Sequence, residues 1–353
     1  MKITINSQTL ARELRLLTQI LAAKPAMPIL GHVLIQAEGE HARMMTSNLE
    51  VGLSSECSAN VIEPGALTLS AKKLLSLVEQ FADDDVMIAA DGAAVRITCG
   101  AFASRLLTLP IEEFPTPPTA PDGGVTLPLD VLQAMVRRVR FAVPEPGKPA
   151  PAGALLTARD GTVVLGATDS KRLAIASVGW AVSDEEIILP AKALDLLASL
   201  DGDQVVFSHD EHQLFFSAGR QTMFATQMAG KFPNYQRVIP KENTHIVTAD
   251  RAALAAALRR VGSIAEDNFA VSMTLTAGAI ELSSKSAGVG LADKTVTATY
   301  DGEALTVLVS WRAVLDFLEE ASGQQATLAL KDAATPMLMT DGDEYLCVVV
   351  LMR

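Results

Sequence analysis

The sequence predicts an α+β protein made of three similar domains of about 120 residues, each with two helices packed on antiparallel sheets. Three observations carry this: the chain repeats itself, the hydrophobic period changes from helical to alternating inside each repeat, and Pro/Gly punctuation falls at matching places. The 353 residues also exceed one ordinary domain.

The repeat is plainest at three short segments. LSAKKLL (from Leu69), LPAKAL (from Leu189) and VSWRAVL (from Val309) align so that Leu74, Leu194 and Val314 are spaced by 120 and 120 residues. Each is an extended apolar approach, a small or capping residue, a cation and then helical apolar spacing. Upstream, INSQTLARELRLLTQIL (from Ile5), LPLDVLQAMVRRVRFAV (from Leu127) and VTADRAALAAALRRVGSIA (from Val247) open each unit with a second amphipathic helix. Ser7, Asp130 and Asp250 are the capping candidates.

Between and after the helices the pattern alternates, as in VVLGATD, RLAIASV, QVVFSHD and HQLFFSA, which reads as strands bounded by turn residues. FPTPPTAPDGG (from Phe114) and FPNYQRVIPKENT (from Phe232) punctuate two units at equivalent places. The expected domains are therefore 1–120, 121–240 and 241–353. Units this long exceed solenoid repeats, which run about 20 to 45 residues, so each buries its own core.

Composition excludes several classes. Hydrophobic residues make up 49% of the chain but aromatics only 5%, so the cores rest on Leu, Val, Ile, Ala and Met. The N-terminus lacks a basic segment followed by an apolar run, and no stretch of 18 apolar residues occurs. A soluble cytoplasmic protein with no membrane partner is expected. Cys57, Cys99 and Cys347 are odd in number and far apart, which suits buried thiols better than disulfides or zinc.

The formal net charge is −12, which argues against wide contact with phosphates. The placement of the cations argues the other way. The first helices carry Arg12 and Arg15, then Arg137, Arg138 and Arg140, then Arg251, Arg259 and Arg260; the second carry Lys72 and Lys73, Lys192, and Arg312. Helices facing one way would gather these into a basic lining that holds phosphate backbones without reading bases.

Catalytic motifs are absent or imitated. GVGLADKT (from Gly288) has Asp293 where a phosphate loop needs its second Gly, and strand-like TVTATY follows it. His209 and His212 lie in a hairpin turn, and Asp83, Asp84 and Asp85 in a solvated loop. With no nucleophile, base or metal set, a β-rich enzyme is the weakest reading, and no metal or cofactor is expected.

Three segments resemble motifs of the bacterial β sliding clamp family, the processivity subunit of DNA polymerase III. KPAMPILGHVLI (from Lys24), GATDSKRLAIAS (from Gly166) and KFPNYQRVIP (from Lys231) occur in that family's order and spacing. The resemblance implies a non-enzymatic, ring-forming DNA clamp: three repeated domains per chain, and a head-to-tail homodimer around double-stranded DNA, with helices lining the hole. It implies a pocket for short peptides from the DNA polymerase III α subunit, the clamp loader, other polymerases and repair proteins.

Carried over by position, the pocket comprises Thr168, Lys171, Arg172 and Leu173, then Pro233, Arg237 and Val238, then Pro336, then Val348, Val349, Val350, Leu351, Met352 and Arg353. The DNA-facing residues are Arg12, Lys24, Lys72, Arg137, Arg138, Lys148, Lys192 and Arg259. At the dimer interface, Ser104, Arg105 and Leu106 meet the third domain of the partner near Ile264 and Phe269. Ser170 and Lys171 depart from the family's usual Gly and His, and VVVLMR departs from its usual terminus. The alternative is a divergent accessory or inhibitor-resistant paralogue of the same ring.

Overall fold

The local sequence accounts for each helix. In α1 (Ser7–Thr18), Leu10, Leu14 and Leu17 recur at helical spacing and are fully buried. Asn6, not Ser7, caps it: the Asn6 side-chain carbonyl accepts from the N–H groups of Gln8 and Thr9 at 3.1 and 3.2 Å. Ser7 is the first helical residue and donates its hydroxyl to the Ala82 carbonyl.

The other helices are α2 (Ala71–Val78), α3 (Leu129–Arg140), α4 (Ala191–Leu197), α5 (Arg251–Gly262) and α6 (Trp311–Glu320). The starts of α1, α3 and α5, at 7, 129 and 251, are 122 residues apart, and those of α2, α4 and α6, at 71, 191 and 311, are 120 apart. Asp250 caps α5 as expected, accepting from the Ala253 N–H at 2.8 Å, whereas Asp130 lies one residue inside α3.

This computed structural model describes residues 1–82, 84–145, 152–180, 184–265 and 269–352. They form two compact units, and the division falls inside the middle third of the chain. Every strand pairing in both units is antiparallel.

The unit comprising 1–133 and 192–227 holds two sheets. Five strands run in the order Asn60–Glu63, Lys2–Asn6, Asp85–Asp91, Ala94–Cys99 and Phe102–Leu107. Eight strands form the second sheet, from Val125–Pro128 through Gln204–His209, Gln213–Ala218 and Gln221–Thr226 to Val51–Ser58, His41–Ser47, His32–Glu38 and Gly65–Ser70. At its middle lies a seam where Gln221 to Ala225 pair with Ser55 to Val51. Gly52 faces Phe224 there, and a Cβ on Gly52 would sit 1.9 Å from the ring.

The unit comprising 134–191 and 228–353 holds one twelve-stranded sheet with an equivalent seam, Arg172 to Ala176 pairing with Val349 to Tyr345. A core cluster of this unit includes residues of α5 and α6, with Phe317 stacked on Tyr345 at 4.7 Å.

The three cysteines are buried and free. Burial, helped by the Glu13 carboxylate, pushes the Cys57 thiol up to about 11, so it stays protonated and unreactive at neutral pH. Among the described residues no helix is long and apolar enough to cross a membrane.

Candidate functional site

The TDSKR turn organises the region expected to bind peptides. Asp169 accepts from the N–H groups of Lys171 and Arg172, both at 2.9 Å, and Thr168 donates its hydroxyl to the Arg172 carbonyl at 2.8 Å. Ser170 then sits in the left-handed region at φ 72°, a conformation that glycine adopts without penalty. Ser170→Gly is therefore expected to stabilise the protein by roughly 0.5–1 kcal/mol, read as a higher chemical-denaturation midpoint at unchanged slope. An equal or lower midpoint would refute the strain argument.

Arg172 holds this turn to two other elements. Its Nε donates to Asp169 at 3.1 Å, another guanidinium nitrogen pairs with Asp316 of α6, and the group lies 5.1 Å from the Phe141 ring centroid. Burial raises the Asp316 carboxyl above its usual range, and the Arg172 charge pulls against that. Arg172 is thus tied on three sides.

The floor beside the turn is apolar. Leu173, Ile175 and Val348 are buried together, with Val164, Tyr235, Ile239, Leu338 and Leu346 packed against them. Val349 pairs with Arg172 across the seam; beyond it, Val350 donates its N–H to the Lys171 carbonyl at 2.8 Å and Met352 to that of Leu308 at 2.8 Å. Leu351 is buried and Met352 half-buried, while Val350 and Val238 are exposed. Asn243 fixes the end of the 232–244 segment by donating to the carbonyls of Ala329 and Pro336 at 2.7 and 3.3 Å.

Pro233, Arg237 and Lys171 are exposed and Pro336 half-buried. Arg237 borders a cleft of about 550 Å³ with Ile239, Lys241 and Lys331. Arg353 lies outside the described residues. Tyr235 and Ile239 were not singled out from the sequence, although the Phe-Pro-x-Tyr segment contains the first of them.

The cations expected to face DNA differ in what they touch. Lys24, Lys72, Arg137 and Lys192 are exposed, with Lys72 Nζ donating to the Ala22 carbonyl at 3.2 Å. Arg12 pairs at 2.9 Å with Glu13, a buried acid that also accepts from the Ser55 hydroxyl at 2.5 Å. Arg259 pairs with Glu319 at 2.6 Å. Arg138 lies 5.2 Å from the Tyr345 ring centroid and reaches Ser322 at 3.3 Å, so part of its function is packing. Lys148 lies outside the described residues.

At the edge of the five-stranded sheet, Phe102–Leu107 presents Leu107 at 80% exposure and Phe102 at 42%. Ser104 and Leu106 are half-buried, and Arg105 pairs with Asp91 at 3.0 Å. In the other unit, Ile264 is half-buried and Phe269, at φ 59°, carries the Arg312 guanidinium 4.3 Å from its ring centroid. The strand Gly290–Thr299 pairs along its length with Ala279–Ser286, but on its other side pairs only at Ala298 and Thr299. Beside that open stretch Leu291 is 75% exposed and Val289 69%. Neither was selected from the sequence, where GVGLADKT was weighed only as a phosphate loop.

Family models describing the DNA polymerase III beta subunit match the chain in succession: the N-terminal domain over residues 1–118, the central domain over 126–234 and the C-terminal domain over 236–353. The chain belongs to this family, the beta sliding clamps. The beta sliding clamp of Pseudomonas putida is 27% identical over 367 aligned residues, covering 100% of both chains, and that of Caulobacter vibrioides 28% identical, covering 97% of this chain and 96% of the relative.

Among solved structures, the sliding clamp of Bartonella birtlesii bound to griselimycin superposes with a TM-score of 0.93 at 27% identity, covering 100% of this chain and 99% of that one. The C. crescentus clamp, with polyethylene glycol bound to its putative beta-motif tethering region, gives 0.92 at 27% identity over the same shares. Sliding clamps are non-enzymatic processivity factors of DNA replication, in keeping with a fold of three clamp domains and a site built from packing and charge.

Proposed function

We propose that this clamp is a head-to-tail homodimer that closes around double-stranded DNA. Its pocket at Thr168–Leu173, Pro233–Val238, Pro336 and Val348–Arg353 would hold peptides from the DNA polymerase III α subunit, the clamp loader, other polymerases and repair proteins. Its domains divide near residues 120 and 240.

The observation that supports the ring is the repetition of the seam. Gly52 faces Phe224 at the first seam and Leu173 faces Val348 at the second. The hairpins set the equivalences: His41 opposite Glu38, Thr162 opposite Arg159 and Ala279 opposite Thr276 each begin the strand leading to the seam strand. Counting from these, Leu291 corresponds to Gly52 and Leu173; the matching hairpins make Arg105 correspond to Phe224 and Val348. A third seam of the same kind would set Leu291 opposite Arg105 of the partner subunit. Two copies supply two such seams and leave neither of these two strands open, which is how a heterologous contact closes.

The helices' cations would then make sequence-independent phosphate contacts that salt weakens by counterion release. Retention would be topological. Loaded onto nicked circular duplex by its clamp loader, the protein is expected to survive a high-salt wash, and to be lost in the same wash once the circle is cut. Neutralising Lys24, Lys72, Arg137 and Lys192 should lower direct DNA binding at least tenfold at low salt while leaving retention on the circle intact. Equal loss from circle and line would refute encirclement.

A further inference from the structure

We infer that the first seam is a second site of the pocket's design, closed by the chain's own Phe224 ring, and that Phe224 and Gly52 together keep peptides out of it; the inference rests on the pocket reading above. The turns at the two seams are built alike. Asn48 accepts from the N–H groups of Glu50 and Val51 at 3.0 and 2.8 Å, as Asp169 does from those of Lys171 and Arg172. Leu49 lies at φ 77° where Ser170 lies at 72°. Thr226 donates its N–H to the Glu50 carbonyl at 2.7 Å, the counterpart of the bond from Val350 to Lys171.

The floors differ. By the strand equivalences above, Leu173, Val348 and Leu338 at the second seam become Gly52, Phe224 and Phe215 at the first. Glycine leaves the sheet bare at that point and the Phe224 ring lies over it, so close that a Cβ on Gly52 would sit 1.9 Å away. The cover differs as well. Phe114, Ile29 and Leu30 are all buried in one cluster with the ring, and Phe224, at 9% exposure, is the least buried member. At the second seam Tyr235 and Ile239 are only half-buried, and Val238 beside them is exposed. Phe224 therefore stands where the apolar anchor of a ligand would lie. A side chain tethered to the floor strand competes at an effective concentration of about millimolar or more. It also loses no translational freedom in doing so, whereas a free peptide does.

The test uses the full-length protein, its Phe224→Ala and Phe224→Val variants, and a synthetic peptide with leucine and phenylalanine anchors and a benzophenone crosslinker. Valine is the residue at the equivalent position 348 and suits a strand, so the second variant guards against a failure of the first to fold. Circular dichroism checks both. Removing the ring leaves a cavity that its neighbours fill only in part. Calorimetric titration is expected to give about one peptide per chain for the wild type and about two for the variants. Mass spectrometry should find wild-type crosslinks near Lys171 alone, and variant crosslinks near Leu49 as well. Crosslinks near Leu49 in the wild type, or none there in the variants, would overturn the inference. Absence of crosslinks near Lys171 in the wild type would instead overturn the pocket reading, whatever is found near Leu49.

Discussion

Leu291→Asp is expected to convert the proposed dimer to monomers at micromolar concentration. The exposed Leu291 and Leu107 sit on the two open strands and would be covered at the third seam. Covering such side chains supplies apolar burial at about 25 cal/mol per Å², which a carboxylate at 291 forfeits; it must also be desolvated there, and the Arg105 it would face, already paired with Asp91, offsets that only in part. Because a two-copy ring contains the seam twice, one substitution acts at both. Light scattering should report half the wild-type mass, with thermal stability of the chain little changed. Ile62→Asp, on the opposite edge of the five-stranded sheet, should remain dimeric. A Leu291→Asp dimer would remove the seam argument.

Gly52→Ala is expected to destabilise the chain by about 3 kcal/mol or more, an overpacking effect at the first seam. The new Cβ would lie 1.9 Å from the Phe224 ring, and that ring is held in a buried cluster with Met45, Phe114 and Phe215. The ring has to leave its place or the strands have to part. Scanning calorimetry should show a fall of roughly 5 °C or more in the transition that includes this sheet. Gly166→Ala is the matched comparison: its Cβ would meet Ile175 at 3.7 Å, an ordinary contact, and should cost under about 1 kcal/mol. Equal effects at the two positions would show that strand propensity, and not the ring, decides.

The helices and the repeat were legible because periodicity is local: Leu10, Leu14 and Leu17 mark the buried face of α1 wherever the chain then goes. The cap of α1 was misread by one residue for a long-range reason, since the Ser7 hydroxyl is drawn to Ala82, 75 residues away. The same limit hid the tie between Arg172 and Asp316, which are 144 residues apart, and the packing of Arg138 on Tyr345. Leu291 escaped notice because nothing in its neighbourhood distinguishes an open strand from a paired one. The candidate pocket rests on family resemblance, whereas the packing of Tyr235 and Ile239 beside Leu173 needed the fold.

The first seam changes what a cut in the chain would do. The segment after Phe114 is rich in proline and mostly exposed, an obvious place for a protease. Yet the strand Gln221–Thr226 returns past that segment to pair over five residues with Val51–Ser55, inside a shared core. A nick near Pro118 would therefore leave two pieces that still fit one another, and the halves made separately in one cell would be expected to reassemble. The covalent link at this point sets the order of the domains; the sheet crossing beneath it holds them.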